Sequence, residues 1–244
     1  MSHTLKIAAV QRRMGSPLSA ETFDELRGKG AEVACLPEYF FVPTGTRRLV
    51  DAAPLRGEIL ERLQEYSRRL GGVLVGGTLV EEENGRFFNA CHVFDDGRHV
   101  GVYRKMHLTE PERESGLTPG EGSQVLRVRD FSLGLLICAD VLYLESFRQI
   151  AALKPELIAI PTDSPYREDD TVERKFARDR DIFVTGARLA RAFVLKTCGV
   201  GELLGHKLQG RSLICSPKGV LARVEPDKEM LEQTLIAQIT LGLS

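Results

Sequence analysis

Hydrophobic positions along the chain switch between two periods. LKIAAVQ, near the start, is a short apolar run of strand type; polar Gly-Ser-Pro follows, and the next stretch predicts a helix over Ser19 to Lys29. AEVACLPEYF repeats the strand pattern and ends at Pro37. Residues 54 to 70 place Leu55, Ile59, Leu63, Tyr66 and Leu70 at helical spacing with charges opposite, the signature of an amphipathic helix packed on a sheet. From Val73 the period becomes two: GVLVGGTLVEE, RFFNACHVF and HVGVYRK are separated by Asn84-Gly85 and Asp96-Gly97. Asx-Gly supplies the positive φ angles of a tight hairpin turn, so these runs read as an antiparallel meander.

After a polar loop, HLTEPERESGLTPGEGS, strands return as QVLRVR and SLGLLIC, the second leading straight into a helix over VLYLESFRQIAALK. A strand LIAIP, an arginine-rich helix from Thr171 to Arg191, a strand AFVLKT and a hairpin RSLICSPKGVLARV complete the order. Helices mixed with both hairpin-linked and separated strands give the α/β class, with one mixed sheet or two. No fixed-period repeat, low-complexity tract or linker interrupts the chain, so residues 1–244 read as one domain.

Composition narrows the partners. Lys and Arg number 33 against 34 Asp and Glu, so the net charge offers nothing to nucleic acid or an anionic membrane surface, and a small-molecule partner is expected. No apolar stretch approaches ~20 residues, and the opening MSHTLKIAAVQ lacks the basic-then-apolar layout of a secretory signal; a soluble, cytoplasmic protein is expected. Five singly placed cysteines form no C-x-x-C pair, which argues against a disulfide framework. His3, His92, His99, His107 and His206 show no metal-ligand spacing, so no metal is expected. GGVLVGG and Gly199-x-Gly201-x-x-x-Gly205 lack the Gly-Lys-Ser/Thr of a phosphate loop and read as turns. In ERKFARDRDIFVTGARLARA, interleaved acids dilute the arginines, giving a solvated or subunit-facing helix rather than a nucleic-acid surface.

Three segments share one layout, an apolar strand with a reactive side chain at or just past its end: Glu38 in VACLPEYF, Lys105 in HVGVYRKMHL and Cys138 in SLGLLICAD. Such strand-end residues can converge in one crevice. A sharp strand-to-helix turn would set the Cys138 sulfur near amide N–H groups and a positive helix end, which lower a thiol pKa. The other cysteines read as structural: Cys35 and Cys91 within strands, Cys198 in a loop, Cys215 before a Ser-Pro turn. A thiol nucleophile usually needs a base. No histidine signature supports an imidazole in that role, whereas Glu38, among Leu36, Pro37, Tyr39, Phe40 and Phe41, can have its pKa raised by an apolar pocket. Lys105 would stabilise the neighbouring anions and the oxyanion of a tetrahedral intermediate.

Taken in order, Pro-Glu after an apolar strand, Tyr-Arg-Lys-x-His-Leu and Gly-Leu-x-Ile-Cys-x-Asp resemble the nitrilase (carbon-nitrogen hydrolase) superfamily, whose members use a Glu-Lys-Cys triad. Lys105 follows Glu38 by 67 residues and Cys138 follows Lys105 by 33, which fits that pattern. KIAAVQ, LTPG, ELIAIP and the late GRSLICSPKGVL hairpin look like further landmarks and spread the resemblance over nearly the whole chain. It implies a four-layer α-β-β-α sandwich, a homodimer or larger homo-oligomer, no metal or organic cofactor, and hydrolysis of a small amide-like substrate through a Cys thioester. It also implies a second glutamate between Lys and Cys; Glu112 is the best positional match, with Glu110 and Glu114 as alternatives. Tyr39 and Ala139, beside Glu38 and Cys138, and Tyr143 further on are expected to face the substrate.

The chain departs from the family beyond Cys-x-Asp. Members commonly carry an Arg and an aromatic-Pro-Glu run there, where this chain has Val141-Leu142-Tyr143-Leu144-Glu145, and the family's usual tryptophan is absent. Amide, nitrile, carbamoyl and N-acyl substrates therefore stay open, as does acyl transfer to an amine by the same triad. A catalytically silent binding protein on this fold is the rival from another class, opposed by the presence of all three triad residues.

Overall fold

The computed structural model describes residues 3–242. Its first half winds β1 (His3–Gln11), α1 (Ala20–Gly28), β2 (Val33–Cys35), α2 (Arg56–Leu70) and β3 (Val73–Val75), then adds β4 (Leu79–Glu83), β5 (Arg86–Asp95) and β6 (Arg98–Arg104). A short α3 (Glu110–Glu114) leads to β7 (Gln124–Val128), β8 (Phe131–Leu135), α4 (Leu144–Ala152) and β9 (Leu157–Thr162). There follow α5 (Val172–Arg178), α6 (Thr185–Ala190), β10 (Phe193–Cys198), the hairpin β11 (Gly201–Leu203) and β12 (His206–Leu208), and the hairpin β13 (Leu213–Ser216) and β14 (Gly219–Arg223). Finally β15 (Gln233–Leu241) pairs antiparallel with β1 along its whole length.

Two large sheets result, one ordered β15-β1-β2-β3-β5-β4 with β6 on β5, the other β14-β13-β10-β9-β8-β7. Strands linked through helices are parallel (β1–β2–β3, β8–β9–β10), and those linked by turns are antiparallel, as connection geometry requires. Period-two alternation then sets the layers. Ile7, Ala9, Val33, Cys35, Val73 and Val75 point inward against Leu133, Leu135, Ile137, Leu157, Ala159 and Leu195 of the other sheet. Their neighbours Ala8, Val10, Ala34 and Leu74 point outward onto Phe23, Leu26, Ile59, Leu63 and Tyr66 of α1 and α2. On the far side Leu136, Ile158, Ile160 and Val194 meet Phe147, Ile150, Val184 and Ala187. Each fully buried large aliphatic contributes roughly 1.5–3 kcal/mol. The architecture is the α-β-β-α sandwich expected from the resemblance.

Local differences from the sequence reading have identifiable causes. Asn84-Gly85 and Asp96-Gly97 turn as expected, all four at positive φ. GVLVGGTLVEE, read as one strand, is cut into β3 and β4 at Gly76-Gly77. There Gly77 has φ +65° and a Cβ would lie 2.1 Å from the Pro37 carbonyl oxygen, so the chain can pass this close only as glycine. The helix expected over residues 141–154 begins only at Leu144, because Cys138–Leu142 forms a separate tight 3-10 turn. The helix from Thr171 to Arg191 is present but relaxes into a π-helical stretch at Asp179–Val184, between α5 and α6. Cys198 lies buried at the end of β10, not in a loop. Part of the expected polar loop is helical as α3, and β15, absent from the sequence reading, closes the first sheet. No helix among the described residues is long and apolar enough to cross a membrane.

Candidate active site

Four strand ends deliver the site: Glu38 after β2, Lys105 after β6, Cys138 after β8 and Asp163 after β9. Glu38 and Lys105 are 2% and 1% exposed. Lys105 Nζ donates to Glu38 Oε1 at 2.8 Å and to both oxygens of Glu112 at 2.8 Å. Asn89 Nδ2 donates to the same two carboxyls at 2.9 Å each. Of the three candidate second glutamates, Glu112 is the one in this network. Thr109 holds it there, its N–H and hydroxyl donating to Glu112 Oε2 at 2.7 and 3.0 Å in a capping box that opens α3.

Tyr39 and Cys138 both adopt the left-handed backbone region, at φ +50° and +39°. Such conformations in non-glycine residues cluster at functional sites because surrounding contacts must hold them. Thr78 Oγ1 accepts the Tyr39 N–H at 2.9 Å, fixing the turn that carries Glu38. Asp140 does the same for Cys138. Its buried carboxylate accepts from Ile137 N–H at 2.9 Å, Tyr103 hydroxyl at 2.8 Å and His107 N–H at 2.8 Å, pinning the 3-10 turn from both sides.

Burial is the largest influence on every acid here. It raises the Glu38 carboxyl, with Glu112 adding to the rise and Lys105 opposing it. Glu112 goes the other way: burial is outweighed by Lys105 and by hydrogen bonds from Tyr39 and Thr109, and its pKa is lowered. Lys105 resists burial through Glu38, Cys138 and Glu112 and is held firmly protonated. The expected low thiol pKa is not found. Burial, and then the Glu38 charge, push Cys138 well above its ordinary value, and the neighbouring Lys105 does not offset them. The resting thiol keeps its proton beside a carboxyl whose proton affinity burial has raised, as a group that must take up and return a proton requires.

With this geometry the match to known proteins is specific. Residues 9–244 match the carbon-nitrogen hydrolase family. The chain belongs to that family, within the nitrilase superfamily. It is 28% identical to an omega-amidase NIT2 of Xenopus tropicalis over 88% of this chain and 83% of that protein. A carbon-nitrogen hydrolase from Helicobacter pylori G27 superposes with TM-score 0.82 at 23% identity, covering 97% of this chain and 89% of the other. An amidase mutant from Nesterenkonia sp. AN1, described with the acetamide moiety of fluoroacetamide added covalently at its active-site cysteine, superposes with TM-score 0.80 at 21% identity over 96% and 90%.

The expected substrate-facing residues fare differently in this carbon-nitrogen hydrolase. Ala139 is buried directly after Cys138. Tyr39 spends its hydroxyl on Glu112 Oε1 at 2.6 Å and so braces the acid. Tyr143 is 50% exposed and stacks on His107, ring centroids 4.0 Å apart, outside the Lys105 network, because the 3-10 turn ends before it. The sequence reading missed Asn89, Asp140 and Asp163. Asp140 stood in the Cys-x-Asp motif but carried no assigned role; the other two have no local signature. Histidines that are not regularly spaced also meet across a sheet, with His92 Nδ1 3.0 Å from His99 Nε2.

Proposed function

We propose that this chain hydrolyses a small amide through a thioester on Cys138, with Glu38 as base and acid, Lys105 as oxyanion partner and Glu112 as the acid that orients Lys105 and the substrate nitrogen. One observation carries the reading: a single lysine bonded at 2.8 Å to two buried glutamates, one just past β2 and one in α3, beside a cysteine on a left-handed turn. Glu38 takes the thiol proton as sulfur attacks the carbonyl carbon. Negative charge gathers on the carbonyl oxygen, facing Lys105 Nζ and the Ala139 N–H. Collapse breaks the carbon-nitrogen bond as Glu38 returns the proton to the departing amine. Water then attacks the thioester, Glu38 accepting its proton and passing it to the released sulfur. The amidase activities named for the relatives above support the choice of amide.

The test is mass spectrometry of the protein with a panel of small amides and nitriles, alongside turnover. A covalent acyl adduct on Cys138 is expected, with turnover abolished in a folded Cys138→Ala protein. Turnover surviving in that variant would remove Cys138 as nucleophile.

A further inference from the structure

We infer that Asp163 selects the substrate: its carboxyl receives a positively charged, N–H-rich group, an ammonium first of all, on the acyl part of the amide. The inference rests on amide hydrolysis at Cys138 and names the kind of amide. Asp163 follows β9 directly, and its main chain touches both reactive groups. Its N–H donates to Glu38 Oε2 at 3.2 Å, and its carbonyl oxygen accepts from Cys138 Sγ at 3.5 Å. The side chain therefore springs from a Cα next to the reacting atoms. Both carboxyl oxygens are shut off from solvent, and neither has a hydrogen-bond partner among the described residues. Buried polar groups are nearly always paired, and an unpaired carboxyl at a reaction centre is free to accept from a donor on the ligand.

Charge gives the sign of that donor. Glu38, Glu112 and Asp163 all sense Lys105, whose ammonium is already bonded to the first two. A ligand cation would balance the third acid, whereas a ligand carboxylate would add a fourth and be repelled. Burial, then Glu38, push the Asp163 carboxyl well above its ordinary value, a cost of holding its charge that a bound cation would relieve. Because Asp163 borders Cys138, the ammonium belongs within two or three bonds of the scissile carbonyl, as in an amino-acid amide.

The experiment compares glycinamide and β-alaninamide with propionamide, butyramide and succinamate at pH 7. Wild-type kcat/KM is expected to favour the ammonium amides over the neutral ones, with succinamate poorest. Asp163→Asn, and Asp163→Ser in parallel, should lower the cationic-to-neutral ratio by ~10–100-fold, mainly through KM, the scale of one hydrogen bond to a charged group. Calorimetry on the Cys138→Ala protein reads binding of the same amides without turnover, with the ammonium amides expected to bind more tightly than the neutral ones. Equal or better use of neutral amides by the wild type, or an unchanged ratio in a folded Asp163 variant, overturns the inference and leaves the hydrolase reading standing. Selective ammonium binding by Cys138→Ala, with no turnover of any amide by the wild type, sustains Asp163 as a recognition site and removes the hydrolase reading instead.

Discussion

Glu38 and Glu81 are both nearly sealed from solvent, at 2% and 3% exposure, and both touch a cation, yet their acidities move in opposite directions. Burial pushes each upward. Glu81 then meets His92 at 3.1 Å and Arg104 at 2.6 Å, and these two partners bring its carboxyl down to about 2; Arg56 lies 3.5 Å away. Glu38 shares one lysine with Glu112 and faces Asp163, so burial wins and its carboxyl is raised. Burial alone therefore does not make a carboxylate reactive in this fold. The number of cations per carboxylate does, and it separates a residue that clamps a sheet from one that can trade protons.

The largest effect should come from Glu38→Gln. Losing the base should cut kcat/KM by ~10²–10⁴-fold. The sign for stability is opposite. A group whose folded pKa is raised stabilises the fold below its unfolded pKa and loses that contribution as pH rises through the folded value, so ionised Glu38 works against folding at neutral pH. The folded variant should therefore melt above the wild type while nearly inactive, and wild-type activity should fall on the acid side above the ordinary carboxylate range. Kinetics and thermal denaturation check both. A variant keeping more than about a tenth of wild-type activity, against the range for a lost base, would sink the contrast.

Glu81→Gln should invert that result. It removes charge-assisted bonds to Arg104 and His92 and should cost ~2 kcal/mol, a fall in Tm of roughly 4–8 °C for a chain of this size, with a much smaller change in kcat/KM. The lowered pKa of Glu81 contributes stability that is present above the unfolded value of 4.5 and is lost as pH falls toward about 2. The wild type should accordingly lose more stability than the variant between those pH values, read by denaturant titration. A large loss of activity at unchanged Tm would mean that Glu81 acts on the chemistry after all.

How far the sequence reached follows from what each feature depends on. The two Asx-Gly turns, the amphipathic helix ending at Leu70 and the strand-end positions of Glu38, Lys105 and Cys138 rest on short-range patterns, and all were legible. Glu112 could have been singled out over Glu110 and Glu114, because Thr109-Glu110-Pro111-Glu112 is a capping-box signature at the start of a helix. The closing strand β15 was hidden because its partner is the first strand, at the other end of the chain, and its side chains are only half buried. The acidity of Cys138 was misjudged because it depends on burial and on Glu38, both set by the fold. Asp163 was invisible for the same reason: only the assembled sheets put its carboxyl beside the reacting groups without a partner.

The smallest effect, and the finest test of cations per carboxylate, is Tyr39→Phe. The Tyr39 hydroxyl donates to Glu112 Oε1 at 2.6 Å, and Glu112 keeps Lys105, Asn89 and Thr109 when that bond is lost. The ring is buried and Thr78 holds the backbone through Tyr39 N–H, so phenylalanine preserves the turn at φ +50°. Removing the donor should let the Glu112 carboxyl rise and draw Lys105 less firmly, which weakens Lys105 against the developing oxyanion. The expected loss is about 10-fold in kcat/KM, carried by kcat and equal across amides of different acyl chain, since three of four contacts to Glu112 survive. If Tyr39 instead faces the substrate, as its position beside Glu38 first suggests, KM should rise and the size of the rise should depend on the acyl group. Steady-state kinetics on a short and a branched amide separate the two, and a KM effect that tracks the acyl chain would move Tyr39 from bracing Glu112 to contacting substrate.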